Sequence, residues 1–136
     1  MSLLAAASSQ ANNELVSHSV MKVLHQYALG TEQSDVALLE SAFHKEFRVI
    51  AITKDGLRVI NRGDYLALIQ SKKIGGHKRQ LTIENITEGV LEDERILQVS
   101  LTLTGEKAIF HDHLDLIKED ARWQILHNST QVTGRD

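Results

Sequence analysis

The sequence contains no cysteine and no proline, and only 4% of its 136 residues are aromatic. Without cysteine the chain forms neither disulfides nor cysteine zinc sites, and it has no thiolate nucleophile. No run approaches the roughly 20 apolar residues that a membrane helix needs. Lysine and arginine form no block and the formal net charge is −3, so the electrostatic footprint of a nucleic-acid binder is missing. We therefore expect neither a nucleic-acid nor a membrane partner.

What is present is typical of a globular domain, with 42% hydrophobic and 24% charged residues. The length fits one domain with a reasonable core, so residues 1–136 are predicted to form a single domain. Residues 1–12 are small and polar and lack the basic start of a signal peptide. They are predicted to be a loose N-terminal tail, and the protein is predicted to be cytoplasmic.

Three short helices are predicted from apolar spacing. The first runs from about Asn13 to Leu29, with Tyr27 on its apolar stripe and Gly30 as its C-terminal cap. The second is capped by Ser34 or Asp35. The third covers residues 64–73, after a strand pair joined at Asp55-Gly56. Four further strands are predicted at residues 79–91, 95–104, 107–118 and 122–131.

The two C-terminal hairpins can be laid out by assuming two-residue turns at 105–106 and 120–121. The first turn places Val99 opposite Asp112, and the second places Leu114 opposite His127 and Asp112 opposite Ser129. Opposed residues share a face of a sheet. Both hairpins then predict the same buried face: Leu97, Val99, Leu101, Leu103, Phe110, Leu114, Leu116, Trp123 and Ile125.

Three polar residues, Asp112, His127 and Ser129, fall on this apolar face in the predicted register. An ionised carboxylate there is costly unless it is paired or hydrogen-bonded, so Asp112 is the sharpest candidate for a site. The opposite face is too polar for a core and too apolar for open solvent, which suits a subunit interface. Its predicted members are Gln98, Ser100, Thr102, Ile109, His111, His113, Asp115, Ile117, Gln124, Leu126 and Asn128.

The order of elements and several short motifs resemble the nuclear transport factor 2-like superfamily, and within it the putative lumazine-binding or SnoaL-like group. The matching residues are Tyr27, Gly30, Asp35, Leu39 and Phe43-His44, together with FHDHLDLIKEDARWQIL at 110–126. The resemblance spans roughly residues 14–131, and Ala121 departs from the glycine usual in its turn.

This resemblance implies an α+β fold in which three helices pack over the concave face of a cone-shaped, curved antiparallel half-barrel. It also implies an internal pocket and usually a homodimer through the outer sheet face. The superfamily includes isomerases, dehydratases and cyclases as well as binders, so the fold alone does not determine function.

Three functions remain open. The first is a small-molecule pocket protein without metal or cofactor, which binds an apolar or aromatic ligand in a cavity between sheet and helices. Its ligand-binding residues would be Tyr27, Asp112, Leu114, Trp123, His127 and Ser129. The second is an isomerase, dehydratase or cyclase with Asp112 as acid or base and His127 as its partner. The third is a structural dimerisation module with a vestigial pocket.

Tyr27 and Asp112 resemble the tyrosine and protonated aspartic acid of the ketosteroid isomerase branch. That branch also needs a carboxylate base on its first strand, and VIAIT at 49–53 carries none. His111 and His113 could chelate a metal, but a surface or interface pair is the commoner arrangement. Lysines and an arginine around Gly75-Gly76 could guide an anionic ligand: Lys72, Lys73, Lys78 and Arg79.

Overall fold

The computed structural model describes residues 17–135. The predicted loose tail at 1–12 lies outside them. The elements follow one another as α1 (His18–Gln33), α2 (Val36–Ala42), β1 (Phe43–Thr53), β2 (Gly56–Asn61), α3 (Arg62–Gln70), β3 (Gln80–Leu91), β4 (Glu94–Thr104), β5 (Ala108–Glu119) and β6 (Arg122–Gly134).

The six strands form one curved, unclosed sheet in the order β2-β1-β6-β5-β4-β3. Four of the five neighbouring pairs are antiparallel, whereas β1 and β6 run parallel. A parallel pair needs a long connection, and the chain between β1 and β6 supplies one. Within the described residues the predicted α+β fold with three helices is confirmed, and the parallel pair is a difference from the expected antiparallel sheet.

The first helix continues past Gly30 to Gln33, so the prediction that Gly30 caps it is wrong. The cap is Ser34, in the left-handed region at φ 54°, with its backbone N–H donating to the Gly30 carbonyl. Gly30 instead permits close packing, since a Cβ there would lie 2.7 Å from the Leu39 side chain. Asp35 caps α2 as predicted, because its carboxylate accepts from the Leu38 N–H at 3.1 Å.

The core lies between the helices and the concave face of the sheet. Eight of the nine predicted face residues are buried, and Phe110 is half-buried against the same cluster. Helix residues close the core from the other side: Val20, Val23, Leu24 and Tyr27 from α1, Leu39 and Ala42 from α2, and Tyr65, Leu66 and Ile69 from α3.

The β4–β5 turn is longer than assumed, with the Gly105 N–H donating to the Ala108 carbonyl at 2.9 Å. The partner of Asp112 is therefore Leu101 and not Val99, a shift of two residues that leaves the faces unchanged. The two-residue turn at 120–121 is confirmed, with Glu119 opposite Arg122. Beyond it a one-residue bulge at Leu126 shifts the register, so the predicted Leu114–His127 and Asp112–Ser129 pairs are wrong.

Candidate functional site

Asp112 is the acidic side chain of a polar cluster inside the core. It lies on β5 and is 1% exposed. The Tyr27 hydroxyl of α1 donates to Asp112 Oδ2 at 2.5 Å, and the Thr130 hydroxyl of β6 donates to Oδ1 at 2.6 Å. Each carboxyl oxygen thus accepts a hydrogen bond from protein, which offsets part of the cost of burying it.

Asn128 extends the cluster. Its Nδ2 donates to the Tyr27 hydroxyl at 3.1 Å, so this hydroxyl both donates and accepts. Asn128 Oδ1 is buried and has no hydrogen-bond partner among the described residues. The only proton of the Tyr27 phenol is committed to Asp112, so neither group is available to polarise a substrate carbonyl in this arrangement.

Burial dominates the acid–base properties of the cluster. It raises the pKa of Asp112, although the hydrogen bonds from Thr130 and Tyr27 and the positive charge of Arg79 act in the opposite direction. Burial, followed by the charge of Asp112, raises the pKa of Tyr27 well above its ordinary value. Burial likewise raises the pKa of Tyr65 on α3. Both phenols therefore stay protonated at physiological pH, and that of Tyr27 donates its proton to the hydrogen bond with Asp112.

The bulge decides which residues of β6 join Asp112. After Leu126 the alternation changes, and His127 pairs with Asp115 on the outer face, with Nδ1 3.4 Å from Oδ2. Ser129 lies opposite His113 on that face. Asn128 and Thr130 take the inward positions. The structure therefore does not bring the predicted partner His127 to Asp112, and the sequence missed Asn128 and Thr130.

Leu114 and Trp123 are on the concave face as predicted, but they belong to the packed core. Leu114 is 1% exposed and lies opposite Asn128, and Trp123 is 7% exposed. The Lys118 ammonium lies 6.0 Å from the Trp123 ring centroid, in the same cross-strand pair. Neither residue lines either of the two cavities described next.

A cavity of about 450 Å³ opens at the end of the sheet, between the segment that follows α3 and the β4–β5 turn. We call it the end cavity. Its walls are Gly75, His77, Lys78, Arg79, Gly105, Glu106, Lys107, Ala108 and Phe110. Phe110 precedes Asp112 by two residues, so both side chains face the same side of β5. The end cavity therefore borders the polar cluster around Asp112, but Asp112 itself stays buried.

Arg79 and Phe110 form a stacked pair in this wall, with the guanidinium carbon 4.8 Å from the ring centroid. The arginine side chain is half-buried, and its Nε has no hydrogen-bond partner among the described residues. A second cavity of about 460 Å³ is more open and lies where β1 meets β2 and α3. Its walls are Lys45, Glu46, Phe47, Arg48, Val59, Asn61, Arg62 and Gly63.

The two histidines predicted as possible metal ligands form hydrogen bonds to hydroxyl groups of the neighbouring strands on the outer face. His111 Nε2 lies 3.0 Å from the Thr133 hydroxyl, and His113 Nδ1 lies 3.0 Å from the Ser100 hydroxyl. Residues 17–135 contain no group of three or more histidine, cysteine or acidic side chains placed to hold a metal ion. The helices of this same stretch include none long and apolar enough to cross a membrane.

This architecture, helices over an open curved sheet, defines the nuclear transport factor 2-like class of proteins. The model of the family described as putative lumazine-binding matches residues 16–129. The chain belongs to that family. No curated protein matches the sequence.

Solved structures with the same fold show how far the likeness extends. A nuclear transport factor 2-like protein of unknown function from Silicibacter pomeroyi has a TM-score of 0.71 and 13% identity, covering 85% of this chain and 93% of that one. One from Methylobacillus flagellatus has a TM-score of 0.67 and 19% identity, with coverages of 85% and 90%. A putative ketosteroid isomerase from Shewanella frigidimarina has a TM-score of 0.55 and 16% identity, with coverages of 79% and 90%. At these identities the likeness concerns the fold.

Proposed function

We propose that the protein binds a small planar aromatic compound in the end cavity and does not transform it. The observation that carries this proposal is the cavity itself, about 450 Å³ with the Phe110 ring in its wall and Arg79 beside it. This volume lies within the roughly 300–1,000 Å³ of typical ligand pockets. An aromatic wall favours a flat ring as ligand, because offset stacking adds to the burial of apolar area.

A binding role fits the surroundings of Asp112 better than a catalytic one. Tyr27 and Thr130 occupy both oxygens of this carboxyl, which is closed off from solvent, and His127 lies on the other face. A general acid or base must reach its substrate directly or through one water. In this proposal Tyr27, Asp112, Leu114 and Trp123 therefore belong to the rigid core beneath the cavity, whereas Phe110 and Arg79 contact the ligand.

Family membership is consistent with this ligand class. The family description names lumazine, which is a flat bicyclic heteroaromatic compound. Such a ring system presents two stackable faces and several polar edge atoms. It is therefore a suitable first probe, alongside other planar aromatic and heteroaromatic compounds.

The experiment is a thermal-shift screen of these compounds, followed by mapping of amide chemical shifts. A ligand of the folded state raises the melting temperature by mass action. We expect shifts at residues 75–79 and 105–110, and a loss of affinity of about 2- to 10-fold in Phe110→Leu, as expected for a lost stacking contact. The control Val59→Ala, in the second cavity, should bind normally. Perturbation confined to residues 45–48 and 59–63, or no shift with any compound, would contradict the proposal.

We also propose that the chain forms a homodimer through the outer face of β4, β5 and β6. Support comes from the composition of that face. His111, His113 and Ser100 share that face with the partly exposed Ile109 and with an apolar cluster of Ile96, Ile117 and Leu126 that the chain itself buries. A mixture of polar hydrogen-bonding groups and apolar side chains is usual for a subunit interface.

A further inference from the structure

Arg79 forms no ion pair with an acidic side chain of residues 17–135, although its charge acts on the buried Asp112 from a longer distance. Its guanidinium makes no hydrogen bond within this stretch and lies over the Phe110 ring. A half-buried guanidinium usually has its donors satisfied, because an unpaired buried polar group costs free energy. These donors border a cavity large enough for a ligand.

The charge around Arg79 is of one predominant sign. Lys78 precedes it, and Lys107 reaches the cavity from the opposite turn. Glu106 is the one acidic residue in the wall of the end cavity, so these side chains leave an excess of positive charge there. The whole chain carries −3, so this local excess departs from the average of the molecule.

The backbone presents Arg79 in a preset position. Gly75 has φ +71°, and a Cβ there would lie 2.4 Å from the Thr31 carbonyl oxygen, so only glycine fits. The Gly76 N–H donates to that same carbonyl at 2.8 Å. Glu32 Oε1 accepts a hydrogen bond from the Arg79 backbone N–H at 3.0 Å, so this carboxylate oxygen bonds to the main chain of Arg79. These contacts fix the main chain at Arg79, and its guanidinium lies over Phe110 in the wall of the cavity.

From this arrangement we infer that the end cavity selects a planar aromatic carboxylate, whose carboxylate pairs with the Arg79 guanidinium. The inference rests on the proposed function and names the ligand class. A guanidinium matches a carboxylate with two parallel N–H···O bonds. A carboxylate conjugated to an unhindered ring lies close to the plane of that ring, so one flat ligand can pair with Arg79 and contact the Phe110 ring beside it. Lys78 and Lys107 add electrostatic attraction for the carboxylate but do not fix the orientation of the ligand.

The test uses matched pairs of compounds on several flat scaffolds, for example 2-naphthoate with 2-naphthamide and quinoline-2-carboxylate with its carboxamide. Affinities are measured by calorimetry or by amide chemical-shift titration. We expect the acid of each pair to bind at least about tenfold tighter than the amide, which is the range for hydrogen bonds to charged groups. Arg79→Gln should remove this preference, so that the acid and the amide of each pair bind this variant with equal affinity.

Two further variants keep the test decisive. Arg79→Lys retains the charge but loses the two-pronged geometry, so it should keep only a small part of the preference. Lys107→Gln, which removes a cation from the same wall, should keep most of it. If acids and amides bind equally well, the carboxylate inference is wrong while the proposed aromatic binding stands. If no scaffold binds in either form at millimolar concentration, the proposed function fails and the inference fails with it. Equal losses in Arg79→Gln and Lys107→Gln would also overturn the assignment to Arg79.

Discussion

At the scale of the residue, Asp112 is an acidic side chain within an apolar core. Two hydroxyl donors, Tyr27 and Thr130, satisfy its oxygens, but the pKa remains raised because burial outweighs them. A fully satisfied polar group in a core stabilises one arrangement of its neighbours, since each alternative packing leaves a group unpaired. We therefore interpret Asp112 as the residue that positions α1 against β5 and β6.

The raised pKa of Asp112 predicts a pH dependence of stability. Below the pKa of this carboxyl in the unfolded chain, near the ordinary aspartic acid value of 3.8, both states are protonated and the carboxyl makes no pH-dependent contribution. As pH rises, the unfolded chain releases the proton first, so the free energy of unfolding falls until pH exceeds the raised folded value.

The measurement compares urea unfolding of the wild type and of Asp112→Asn from pH 3.5 upward. The stability of the wild type relative to the variant should fall over this window and then level off, because asparagine carries no titrating proton. A difference that stays constant with pH, or that rises, would show that burial does not raise the pKa of this carboxyl.

At the scale of the element, α1 and the bulge in β6 fix the site. The helix places Tyr27 over Asp112, and its close approach to α2 depends on Gly30. The bulge at Leu126 turns Asn128 and Thr130 inward and His127 outward. One inserted residue therefore selects which side chains surround the carboxyl, because residues alternate between the two faces of a strand.

Gly30→Ala tests the packing of α1 on α2. Alanine favours a helix over glycine by about 1 kcal/mol, but its Cβ would lie 2.7 Å from Leu39, which is fully buried. Overpacking costs about 1–3 kcal/mol, so we expect a net loss of about 1 kcal/mol in the free energy of unfolding.

A matched control for this substitution is Gly63→Ala in α3, where the nearest atom to a new Cβ is 3.7 Å away. Its stability should be unchanged or raised by up to about 1 kcal/mol. Denaturant unfolding of both variants decides the point. Stabilisation by Gly30→Ala equal to that of the control would mean that helix propensity outweighs the contact with Leu39.

At the scale of the whole molecule, the sheet separates two environments. The concave side carries the core, the Asp112 cluster and, at its end, the cavity. The outer side carries histidines and small polar residues around a minor apolar cluster. The proposed ligand site and the proposed dimer interface are therefore on different surfaces, and substitutions in one should leave the other intact.

The dimer proposal predicts that sedimentation equilibrium yields twice the mass of the chain. Ser100→Arg places a long charged side chain in the middle of the outer face and should give a monomer that retains the end cavity. Lys54→Arg, at the exposed β1–β2 turn, is the control and should remain dimeric. A wild type that stays monomeric at high micromolar concentration would exclude this interface.

The amino-acid sequence was enough to predict the α+β class, the three described helices, the buried face of the sheet and the position of Asp112 on that face. These follow from local periodicity and from turn residues, which act over a few neighbours. The β5–β6 turn was also predictable, because the alternating apolar residues of β5 and β6 face the same side of the sheet only if the turn lies at residues 120–121.

The remaining features depend on contacts between residues that are far apart in the sequence. The bulge at Leu126 could not be inferred from alternation, because one extra residue is accommodated by packing of Leu126 against Ile96 and Ile117. The role of Gly30 inside α1 depended on Leu39, which packs against it from another helix. The walls of the end cavity come from residues 75–79 and 105–110. These two segments are distant in the sequence and meet only when the chain folds. Asp112 and its pairing with Tyr27 were therefore predictable from the sequence and its resemblance, whereas Thr130 and Asn128 joined this pair only through the bulge in β6.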